Sequence, residues 1–178
     1  MALTLQEFMK NPNWLTFEQD MIEHYSRYWL HWLVGLFAIV TFQHFFLFGI
    51  NFTESLPYNV FLVDKHPTHI KNGDLISFRW AGGGGYPAGI TFMKIVSGLP
   101  GDQVTVDAER NFYINGNWVG LAKKLSRKGE KLEIGRTGKI PPGYMYVKAP
   151  HVDSLDSRYA ITGWVPMTSI EGRAIFAY

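Results

Sequence analysis

The stretch WLHWLVGLFAIVTFQHFFLFGINFTESLPYNVFLV, Trp29 to Val63, decides how this chain folds. Its first part, Trp29 to Ile50, holds no Asp, Glu, Lys or Arg, although His31, Gln43 and His44 interrupt the apolar run. At ~1.5 Å per residue a helix over these positions reaches ~33 Å, enough for a hydrocarbon core of ~30 Å. Trp29 and Trp32 stand at its entry, where aromatic rings favour a membrane interface. The spacing therefore predicts one transmembrane helix over 29–50. After it, a serine, a proline and the strand-like run NVFLV follow at once, so the chain changes character within a few residues.

Lys10 and Arg27 precede the segment and no Lys or Arg follows until Lys65. That bias predicts a cytoplasmic N-terminus and a translocated remainder. Residues 1–28 read as a cytoplasmic amphipathic segment with Phe8, Trp14, Leu15 and Phe17 on its apolar side. The exit GINFTES lacks the small-residue pattern of a leader cleavage site, so an anchor is expected rather than a removed leader.

Composition narrows the functions available. A net charge of +2, from 17 basic and 15 acidic residues in 178, gives no electrostatic case for nucleic acid as a partner. The absence of cysteine excludes disulfides, thiolate metal sites and a cysteine nucleophile. His66, His69 and His151 share no metal-binding motif, and no cofactor or metal is expected.

From Asn51 onward the pattern is that of strands and turns. NVFLV (59–63), DLISFRW (74–80), ITFMKIV (90–96), QVTVD (103–107), FYING (112–116) and YMYVK (144–148) are short, rich in β-branched and aromatic residues, and bounded by turn formers. Asn115-Gly116 is a two-residue hairpin signal. The expectation is a mostly β domain over 51–178, an antiparallel, partly closed barrel or sandwich. Gly82 to Gly85 lack the Lys and Ser/Thr of a phosphate loop and read as a hairpin tip. The basic run KKLSRKGEK (123–131) reads as a solvated hairpin, with anionic headgroups or acidic partners as the other reading.

Four boxes carry candidate chemistry: NFTESLP (51–57), MKIVSGLPGDQV (93–104), DSLDSRYAITG (153–163) and SIEGRA (169–174). Alternation places Phe92, Lys94 and Val96 on one strand face, so Lys94 shares apolar surroundings that disfavour its ammonium form. A serine becomes a nucleophile only when a base takes its proton, and a desolvated lysine can serve as that base.

In this order the boxes resemble the signal peptidase family, the membrane-anchored Ser/Lys endopeptidases. The N-x-T-x-S-L-P variant looks most like the branch encoded with conjugative transfer systems, the TraF-like pilin-maturation peptidases. The resemblance implies Ser55 as nucleophile, Lys94 as general base, Thr53 in the oxyanion hole and Ser154 orienting the lysine amine. It implies Asp156 and Arg158 as a pair bracing the site, and a signal-peptidase-like β domain behind the anchor. The function implied is processing, and in some relatives cyclisation, of a pilin-like or secreted precursor with a hydrophobic segment. The setting implied is a conjugative type IV secretion system, with the domain on the periplasmic side of a bacterial inner membrane. A general signal peptidase and a non-catalytic anchored scaffold remain the alternatives. A self-cleaving repressor protease would have a DNA-binding segment where the apolar run stands.

Overall fold

The structure, a computed structural model, describes residues 12–51 and 53–178, with side chains from residue 16 onward. The chain divides into two compact units, residues 1–44 and Phe45–Tyr178.

The first unit is built on helix α1 (Pro12–Phe45), whose regular backbone breaks at Tyr28, with φ −111° and ψ 16°. This corrects the expected span in two ways. The helix continues N-terminally past Trp29, and it stops at Phe45, because Phe46–Ile50 leave it as a strand. The helical part beyond the break, residues 29–45, reaches only ~26 Å, less than a hydrocarbon core of ~30 Å. No helix among the described residues is long and apolar enough to cross a membrane. Of the residues expected to form the amphipathic side, Phe8 and the side chains of Trp14 and Leu15 lie outside the described residues, and Phe17 is exposed.

The second unit is all strand, turn and one 3-10 turn (Met167–Ser169) among its described residues. Its strands are β1 (Phe46–Ile50), β2 (Val60–Asp64), β3 (Leu75–Arg79), β4 (Thr91–Gly98), β5 (Gln103–Val106) and β6 (Asn111–Ile114). They continue as β7 (Asn117–Leu121), β8 (Gly138–Lys139), β9 (Tyr144–Lys148), β10 (Val165–Pro166) and β11 (Ile170–Ala177). One sheet runs β1-β2-β11-β3-β4-β9-β10 and the other β7-β6-β5-β8, antiparallel throughout. The six expected strands all form. The Asn115-Gly116 turn takes positive φ at both residues, 50° and 80°, which matches the twist of the β6–β7 hairpin it closes.

Three buried clusters hold the sheets. Ile76, Phe78 and Trp80 pack with Val96, Met145 and Val147, while Val104, Phe112 and Ile114 pack with Ile140, Tyr146 and Tyr159. Strand β9 serves both: Met145 and Val147 face the first cluster and the alternate residue Tyr146 the second. Burial on both faces is why YMYVK lacks the polar alternation of a half-exposed strand. The third cluster joins Leu56 to Phe61, Val63 and Ala149, and so pins the residue after Ser55 to the sheet. The tetraglycine lies at the tip of the β3–β4 hairpin, closed by a bridge between Gly83 and Tyr86. KKLSRKGEK folds back on itself through a bridge between Leu125 and Lys131.

Candidate active site

Ser55 sits in the turn between β1 and β2, and Asn51 organises that turn. Its Oδ1 accepts from the Thr53 backbone N–H at 3.0 Å and from the Thr53 hydroxyl at 2.8 Å. Its Nδ2 donates to the Tyr58 carbonyl at 2.9 Å and the Leu56 carbonyl at 3.4 Å. The first of these bonds is an Asx turn, in which a side-chain oxygen stands in for a backbone acceptor. With the Thr53 proton given to Asn51, the 2.9 Å contact between Thr53 Oγ1 and Ser55 Oγ leaves the serine as donor.

Lys94 comes from β4, opposite Ile76 of β3, and is only 4% exposed. Its ammonium lies 5.3 Å from the centre of the Phe92 ring. Burial lowers its pKa from 10.5 to about 8, the nearby Asp156 carboxylate opposes the fall, and the Arg158 guanidinium adds to it. Ser154, in the loop after β9, is buried and its Oγ has no hydrogen-bond partner among the described residues. Thr53, Ser55, Lys94 and Ser154 line one cavity of about 350 Å³, with apolar walls from Ile50, Leu56 and Met93. A hydroxyl, a buried amine and an unengaged hydroxyl thus face a space in which an extended peptide segment can lie.

Asp156 and Arg158 stand behind this cavity. Two parallel bonds of 2.8 Å join them, Arg158 Nε to Asp156 Oδ1 and Nη2 to Oδ2. The carboxylate also accepts from the Ala149 N–H at 3.0 Å, and Arg158 Nη1 donates to the Leu121 carbonyl at 2.9 Å. A Cβ at Gly120 would lie 3.1 Å from Arg158 Nη1, so the glycine clears the path of the guanidinium. The pair ties the Ser154 loop to β9 and β7, and its charges act on Lys94 without touching the cavity.

The sequence boxes did not reveal three further contributors. Asn51 stood inside a quoted box, and its spacing to Thr53 is an Asx-turn signal. Asp153, beside Ser154, is held by Lys123 and, at 2.8 Å, by Arg127, and these cations keep its carboxyl at about 2. Arg127 also reaches Glu54, the neighbour of Ser55, at 3.1 Å and His151 at 3.4 Å. Tyr86 lines the cavity from the tetraglycine tip, and no local pattern marks it.

The sequence model of the family "signal peptidase, peptidase S26" matches residues 22–178. The chain belongs to this family of serine peptidases. It is similar to signal peptidase I of Pseudomonas aeruginosa strain PAO1, at 30% identity over 140 residues, covering 58% of this chain and 47% of that protein. The chain thus matches about half the length of this curated relative. A crystal structure of a signal peptidase I from Enterococcus faecalis V583 aligns with 61% of this chain and 98% of its own, at 25% identity and a TM-score of 0.41.

Proposed function

We propose that this chain is an endopeptidase in which Ser55 attacks the scissile carbonyl and Lys94, as the free amine, takes the serine proton. The observation that carries the reading is one cavity lined by Ser55, by a buried Lys94 with pKa about 8, and by the unengaged Ser154 hydroxyl. Attack forms the bond from Ser55 Oγ to the carbonyl carbon. The resulting ammonium of Lys94 gives its proton to the leaving amine as the peptide C–N bond breaks. Ser154 fills its vacant hydrogen-bonding capacity by fixing the Lys94 amine. Thr53 turns its hydroxyl from Asn51 to the oxyanion, beside the Ser55 backbone N–H. Water, or an amine of the substrate itself, then attacks the acyl-enzyme.

The substrate is a pilin-like precursor of a conjugative secretion system, as the N-x-T-x-S-L-P form of the serine box suggests. The likeness to signal peptidase I of P. aeruginosa favours a second reading, a general peptidase acting on many exported precursors. A lipid surface is the further partner. Trp29, Leu33, Leu36, Phe37 and Val40 of α1 are each at least half exposed, and a lipid phase removes that surface from water.

The test is co-expression of the chain with a conjugative pilin precursor and with an unrelated exported precursor, read by intact mass. Wild type shortens the pilin precursor, and Ser55→Ala and Lys94→Ala leave it whole; a product one water lighter than the linear fragment identifies ring closure. Cleavage of both precursors favours the general peptidase. Equal processing in the presence of wild type and both variants shows that Ser55 and Lys94 do not carry the cleavage, and overturns the peptidase assignment in favour of a scaffold.

A further inference from the structure

A second cavity, of about 640 Å³, adjoins the first and shares Tyr86, Asp153 and Leu155 with it. Tyr86 meets Phe92 edge-on, with ring centres 5.3 Å apart, and Phe92 in turn lies beneath Lys94. The shared Tyr86, Asp153 and Leu155 place this second space next to the Ser55 cavity, within reach of a peptide that extends past Tyr86.

One wall of the second cavity is the hairpin of residues 123–131. Those residues carry five cations and one carboxylate, a net +4, in a chain whose total is +2, so the remainder of the chain is net negative. Lys123, Arg127, Lys128 and Lys131 line the cavity. The same lining holds three carboxylates, Glu130, Glu133 and Asp153, so the cations exceed them by one. Lys123 and Arg127 share Asp153, Arg127 also reaches Glu54 at 3.1 Å, and Lys131 pairs with Glu133 at 3.1 Å. Lys128 has no carboxylate within ion-pair distance among the described residues. The floor is apolar, with Leu132, Leu155 and Ile161. A concave, apolar floor beside one cation without an ion-pair partner among the described residues, Lys128, suits a peptide segment that carries one carboxylate.

We propose that this second cavity is a substrate subsite that receives an acidic side chain, or a chain-terminal carboxylate, from the residues flanking the scissile bond. The inference rests on the peptidase reading, because the peptide reaches this cavity from the Ser55 cavity. Lys128, with no carboxylate of its own, is the primary partner, and Lys131 exchanges Glu133 for the substrate. An anionic lipid headgroup offers similar charge, but the lining shared with the Ser55 cavity and the apolar floor favour a peptide.

The test uses fluorescent peptides spanning the cleavage site, with a single Glu or Gln at successive flanking positions. Binding to the full-length Ser55→Ala protein is read by anisotropy in a neutral detergent, so that neither cleavage nor anionic lipid contributes. At one position Glu binds roughly fivefold more tightly than Gln at low salt, as expected for about one ion pair. The preference fades at high salt and falls to about one in protein also carrying K128Q and K131Q. Equal affinities for Glu and Gln at every position overturn the proposal. So does a preference that survives K128Q/K131Q, or one that arises only with anionic vesicles. Cleavage by the wild-type protein is measured on the same peptides. A Glu preference in binding with no cleavage sinks the peptidase reading alone, and cleavage without the preference sinks the subsite alone.

Discussion

Lys94 shows how one residue is set for its task at a cost to the fold. Its pKa falls from 10.5 to about 8 because burial disfavours the ammonium. The free amine is the active form, so kcat/KM rises with pH and levels off above about 8, which a pH profile on a fixed peptide measures. The stability consequence has the same sign. Between about 8 and 10.5 the unfolded chain binds this proton and the folded chain does not, so folding becomes more favourable as pH rises through that window. Below it, the folded protein must hold a charge that burial disfavours. Lys94→Met removes that charge while keeping the volume; we expect no activity and a gain of about 1–3 kcal/mol at pH 7, seen as a higher melting temperature. Asn51 acts by position rather than by charge. Asn51→Ala strips the Ser55 turn of its side-chain acceptor and donor; we expect kcat/KM to drop about tenfold, with about 1 kcal/mol lost from stability.

At the scale of elements, the site is assembled from three connections: the β1–β2 turn, the β4 strand and the loop after β9. Alternation along β4 was readable in the sequence and places Lys94 on the face of Phe92 and Val96. The Asp156–Arg158 pair fixes the third connection, and both residues are at most 3% exposed. Arg158→Met leaves Asp156 buried without its partner, and we expect a loss of about 3–5 kcal/mol in chemical denaturation. The same substitution removes a cation that lowers the Lys94 pKa and leaves the carboxylate that raises it, so the pH limb of activity moves to higher pH. A purely structural pair would lower the melting temperature and leave that limb in place. Phe46–Ile50 mark where element reading failed. FLFGI continues an apolar run without a break, and an apolar run alone does not separate helix from strand. Pairing with Val60–Asp64 decides in favour of the strand.

For the whole molecule, the division at residues 44 and 45 separates a helix with apolar side chains in solvent from a β unit with its own buried clusters. A protein beginning at Phe45 is expected to unfold cooperatively within a few degrees of the full chain and to keep the pH dependence set by Lys94. It is expected to lose binding to lipid vesicles, measured by co-sedimentation. Melting far below the full chain would mean that the helical unit supports the sheets.

The β class, six strands, the Asn-Gly hairpin and the four chemistry-bearing boxes were legible in the sequence because each is a local pattern of side-chain period or turn chemistry. What brings Ser55, Lys94 and Ser154 to one cavity is pairing between residues far apart in the chain, and spacing says nothing of that. The same holds for the Lys94 pKa, since the burial that lowers it and the Asp156 carboxylate that opposes the fall both come from other elements. The length of the helix also lay beyond the sequence: hydropathy ran on to Ile50, but the hydrogen bonds available from β2 ended the helix at Phe45. Local chemistry chose the residues, and long-range pairing decided which of them meet and with what charge.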